Sequence, residues 1–97
     1  MTTNMLNTKD ITIVKNEDGS YTVTSDFDNW DNADYMVIIT PVGYSLEENT
    51  IEAKVHEIKK RKRNGGTFRR LKYPHSTRYT HLVRWAFISL LENKMIV

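Results

Sequence analysis

The sequence predicts an α+β domain: a small antiparallel sheet, built from an N-terminal hairpin plus a third strand, packed by two helices, the C-terminal one forming the core. Three observations predict it. The β-branched runs ITIVK and SYTVTS flank the short loop NEDG; YMVIITPV is a brief run apolar on both faces; and Leu82 to Leu91 is apolar on nearly every side of a helix. With 97 residues, 39% of them hydrophobic, the chain can bury one modest core and not two.

Residues 1–9 are polar with isolated apolar Met5 and Leu6 and show no periodicity, so a flexible tail is expected, with residues 10–97 forming a single α+β domain. In the hairpin, the loop ends at Gly19, which suits the positive φ of a tight turn. Ile11 and Ile13 are expected to share a face with Tyr21 and Val23, leaving Thr12, Thr22 and Thr24 on the other. DFDNWDNAD, rich in aspartate and asparagine, reads as a loop. The apolar run after it reads as a central strand closed by Pro41 and Gly43.

Ser45 to Arg63 reads as the first helix. Ser45 and Glu48 fit the S-x-x-E capping box, acids precede bases along the segment, and Asn64-Gly65-Gly66 is a stop signal. Leu46, Ile51, Val55 and Ile58 supply a thin apolar stripe. A competing reading pairs TIEAKVHEI with TFRRLKY across NGG as a second hairpin, since Ile51, Ala53 and Val55 also alternate. TFRRLKYP is extended in either case, because Pro74 biases its predecessor away from α. Ser76 or Thr77 caps the last helix, which runs to about Asn93; one of its flanks is a candidate surface for a homodimer.

The net charge of +2 conceals a segregation. Eleven acids face three bases before residue 59, whereas eleven bases face only Glu92 from there on. Lys59, Lys60, Arg61, Lys62 and Arg63 are followed by Arg69, Arg70 and Lys72 with no carboxylate between them, and Arg78 and Arg84 extend the series. A helix macrodipole favours cations only in its last turn, so it accounts for Arg61 to Arg63 and not for the rest. Phe68 and Tyr73 interleave with the bases, as stacking on unpaired nucleobases requires. The expected function is therefore non-enzymatic binding of nucleic acid, DNA or RNA, by its phosphate backbone. The alternative partner is an acidic protein surface, blocked by an effector or inhibitor of viral or mobile-element type, with Trp30, Tyr44 and Phe68 as anchors beside arginine.

Other chemistries lack their residues. There is no cysteine, hence no disulfide or thiolate metal site. His56, His75 and His81 have no metal-pair spacing, and Asp26, Asp28, Asp31 and Asp34 lack the glycine and glutamate of a calcium loop, so no metal or cofactor is expected. These aspartates are instead candidates to shield the basic stretch. No nucleophile elbow or phosphate-binding glycine loop is present. Without a leader pattern or an apolar run near the roughly 20 residues of a membrane span, a soluble cytoplasmic protein is expected.

Overall fold

A computed structural model describes residues 11–25, 33–45, 47–48, 50–62, 66–72 and 77–96. The expectations placed on the N-terminal tail, on Asp26, Asp28, Trp30 and Asp31, on Arg63, and on Tyr73, His75 and Ser76 lie outside these residues, as does the side chain of Lys62. Five strands form one antiparallel sheet in sequence order: β1 (Ile11–Lys15), β2 (Tyr21–Ser25), β3 (Ala33–Ser45), β4 (Thr50–Lys62) and β5 (Arg69–Arg70). Among the described residues there is one helix, α1 (Thr77–Glu92), which packs on β3 and β4.

The first hairpin has the expected faces. Ile13 pairs with Val23 and Lys15 with Tyr21, and the loop closes with the amide of Asn16 donating to the carbonyl of Ser20 at 2.8 Å. Gly19 adopts φ 89°, where a side chain would be strained. Ser20 donates to Oδ1 of Asp18 through both its amide (3.0 Å) and its hydroxyl (2.6 Å), and the hydroxyl bond is the larger cause holding that carboxyl below its ordinary value.

The predicted first helix is a strand. Residues 50–62 form β4, antiparallel to β3, with Ile51, Ala53 and Val55 half-buried and Thr50, Glu52, Lys54 and His56 exposed. The physical reason lies in β3. As the third of five strands it needs a partner on each side for its backbone, and only residues 50–62 can follow it by a short turn. The S-x-x-E signal is real but belongs to that turn: the Glu48 amide donates to Oγ of Ser45 at 3.3 Å, in a hairpin and not at a helix start. The competing hairpin reading is nearer, since β5 pairs with the far end of β4 and the Leu71 amide donates to the carbonyl of Ile58 at 2.7 Å.

Two irregularities shape the long β3–β4 ladder. Val42 is an extra residue on β3, which lets the strand run past Pro41 and Gly43 to Ser45 where the sequence predicted its end; a proline is tolerated in a central strand at a bulge. His56 is an extra residue on β4, between the pairs Ile38 with Glu57 and Ile39 with Val55. Odd residues of β4 face α1 before His56 and even residues after it, as Val55 and Ile58 both pack toward the core.

The core lies between one face of the sheet and α1. Tyr21, Val23, Tyr35, Val37, Ile39 and Ile58 meet Leu82, Trp85, Ala86, Phe87 and Leu90. The buried hydroxyls are bonded: Ser89 donates to the carbonyl of Trp85 at 2.7 Å, and Ser25 Oγ accepts the Tyr35 amide at 3.0 Å. The helix ends in a Schellman arrangement. The amide of Met95 donates to the carbonyl of Leu90 and that of Lys94 to the carbonyl of Leu91, with Lys94 at φ 59°. The chain then turns back over β2, where the Tyr21 hydroxyl donates to the carbonyl of Met95 at 3.3 Å. Thus α1 commits its most apolar side chains to its own sheet, and no helix of the described residues is long and apolar enough to cross a membrane.

Candidate nucleic-acid interface

Because residues 59–62 are strand and not helix, their side chains alternate between the two faces of the sheet. Lys59 and Arg61 lie on the open face, away from α1, and Lys60 lies on the helix side opposite the buried Tyr35. The short edge strand repeats the division. Arg70 pairs with Lys59 and Arg69 with Lys60, so each face receives one directly opposed pair of cations.

The open face supplies its own anions. Arg70 donates to Oε1 of Glu57 through Nη2 at 2.6 Å and through Nε at 3.1 Å, and Lys59 Nζ lies 3.2 Å from the other carboxylate oxygen. The hydrogen bond from Arg70, followed by that from Lys59, holds the Glu57 carboxyl below its ordinary value. One row further along, Arg61 Nη2 donates to Oδ2 of Asp34 at 2.7 Å, and its guanidinium stacks on the Phe68 ring, 4.5 Å from the centroid. Phe68 is half-buried under that arginine.

The helix side is different. Among the described residues neither Lys60 nor Arg69 has an acidic partner, and both are exposed. Next to them in the same cross-strand row stands Tyr35, whose hydroxyl accepts a hydrogen bond from Nη1 of Arg78 at 2.9 Å. Arg78 sits in the first turn of α1, a turn that contains no acid. Four elements thus contribute to one row: β3 gives Tyr35, β4 gives Lys60, β5 gives Arg69 and α1 gives Arg78. Lys72 is exposed just beyond β5, and Arg84 is half-buried farther along α1.

No family model, curated protein or solved structure matches the chain. What bears on function is therefore the residues themselves. Among them, Tyr35 and Glu57 are the two that sequence reasoning passed over. Tyr35 was hidden in an apolar run, and its pairing with Lys60 follows only once β4 is known to be a strand. Glu57 sat in the acid count of the N-terminal half, while its two-residue spacing from Lys59, same-face in a strand, was available as a signal.

The other titratable groups are dispersed. His56 Nε2 lies 2.6 Å from the Thr40 hydroxyl on the open face, His81 is exposed on α1, and among the described residues no three histidine or carboxylate side chains gather as a metal site.

Proposed function

We propose that the protein binds nucleic acid through its phosphate backbone, on the helix side of the β4–β5 edge, with Lys60 and Arg69 as the primary contacts and Arg78 beside them. The observation that carries this reading is the contrast between the two opposed cation pairs. Like charges directly across neighbouring strands are unfavourable, by an amount on the order of 1 kcal/mol at a solvated surface. Lys59 and Arg70 have Glu57 between them, whereas Lys60 and Arg69 have no carboxylate among the described residues. An external anion relieves that repulsion, and phosphate suits it, because arginine binds it through two N–H groups and lysine as a point charge.

Protection of a sheet edge against aggregation is the competing explanation for two arginines on β5. It accounts for the charge on β5 but not for a lysine of like charge opposite Arg69 on the next strand. Backbone recognition also suits a row in which, among the described residues, Tyr35 is the sole aromatic and is buried.

The test is a salt titration of binding to single-stranded DNA, duplex DNA and RNA of one length, by fluorescence anisotropy. Affinity falls steeply with salt, and Lys60→Gln with Arg69→Gln lowers the slope of log affinity against log salt by roughly 1.5 to 2. A flat salt dependence overturns the reading. So does a double variant that binds as tightly as the wild type.

A further inference from the structure

We infer that β1 is a self-association edge, along which two copies of the chain pair antiparallel about Ile13 and continue the sheet across a two-fold axis. The two edges of the sheet are built differently. β5 is two residues long and both are arginine, a short charged edge of the kind that resists pairing. β1 is five residues long, pairs with β2 without a bulge, and carries neither proline nor glycine. Its one charge is the exposed Lys15 at its end, whose Nζ lies over the Tyr21 ring of β2, 5.9 Å from the centroid. Among the described residues no strand lies along the outer side of β1, so its outward N–H and C=O groups present a template for another strand.

A second copy fits that template by its own symmetry. An antiparallel pair centred on Ile13 sets Thr12 against the partner's Val14 and Ile11 against the partner's Lys15, so no like charges meet. Both members of the first contact are exposed in the single chain, Val14 at 51%. Ile13, only half-buried on the helix side, would be covered by the partner's Ile13, and Ile11 by the aliphatic stem of the partner's Lys15. α1 makes its main contacts on β3 and β4, two strands in from this edge. A five-residue edge buries less than the roughly 1,600 Å² of a standard stable interface, so the dimer is weak and concentration-dependent.

The experiment is sedimentation equilibrium of the full chain without nucleic acid, from about 10 μM to about 1 mM, the range in which so small an interface dissociates. The average mass rises toward twice that of one chain. Thr12→Lys with Val14→Lys sets lysine against lysine at both symmetry-related contacts and weakens dimerisation at least tenfold. Thr12→Glu with Val14→Lys sets opposite charges there and returns it to the wild-type level or beyond. Both positions are exposed, and melting by circular dichroism verifies that each variant folds. A single-chain mass at every concentration, which would give this edge to a strand of another protein, overturns the inference. Equal behaviour of the two double variants overturns it as well.

Discussion

Asp34 and Arg61 are direct cross-strand neighbours on β3 and β4, joined by a 2.7 Å hydrogen bond, with the aspartate side chain only 12% exposed and the arginine 31%. Of the four aspartates that the sequence offered as a shield for the basic stretch, this one takes an arginine out of it. Its geometry also makes Arg61 a structural residue, held by a carboxylate on one side and by the Phe68 ring on its face.

Removing Asp34 leaves a half-buried guanidinium without its acidic partner. Asp34→Ala is expected to destabilise the fold by about 1–3 kcal/mol, and Arg61→Lys, which loses the planar stack on Phe68, by about 1 kcal/mol. Urea unfolding of both single variants and the double variant checks the pairing: the double loses less than the sum, by at least about 0.5 kcal/mol.

Glu57 holds two cations back from solution. Glu57→Gln releases Lys59 and Arg70, so polyanion affinity rises and the salt slope steepens by roughly 1 to 2. Lys60 and Arg69 variants move in the opposite direction. Anisotropy titrations at two salt concentrations separate the two faces.

The same carboxylate gives stability a pH dependence. Its folded pKa is depressed by Arg70 and Lys59, so its contribution is present above the unfolded pKa and is lost as pH falls through the lower folded value. Below about pH 4 the wild type should lose stability faster than Glu57→Gln, with Asp18 contributing the same sign in both proteins. Urea midpoints between about pH 2.5 and pH 6 measure the difference.

Lys94 occupies a backbone conformation that favours glycine at the end of α1. Lys94→Gly is expected to stabilise the fold by about 0.5–1 kcal/mol, read as a rise in the thermal midpoint. In the core, Phe87→Ala removes a fully buried ring that also meets Tyr44 edge-on at 5.9 Å, and is expected to cost about 3–5 kcal/mol, a large share of the roughly 5–15 kcal/mol that holds a domain folded, read as a drop in the urea midpoint.

The N-terminal hairpin and the core helix were legible from their hydrophobic patterns; the third strand was legible as an apolar run, but its end was not, because the bulge at Val42 carries it past Pro41 and Gly43 to Ser45. β4 was not, for two local reasons. Ser45 and Glu48 form the same hydrogen bond at a hairpin turn as at a helix start. The extra residue at His56 puts Val55 and Ile58 on one side at a spacing of three, which together with Ile51 imitates a helical stripe. The cations of the candidate site were legible by composition, but their division between faces was not, since it depends on β4 being a strand. What hid Glu57 was its place in the acidic half of the chain, although it lies two residues from Lys59.

The bulge at His56 has a further consequence for how such a chain can change. It takes up one residue without a slip in the ladder, so that Ile58 and Lys60 still look toward α1 while Lys59 and Arg61 look away. Deleting His56 would bring Val55 and Glu57 into consecutive positions opposite Ile39 and Ile38, so the ladder would run on without the bulge and both halves of β4 would keep their faces. In any related chain, the loss of one residue at this point would therefore leave the presentation of Lys59, Lys60 and Arg61 as it is, because the bulge and not the ladder holds the extra residue.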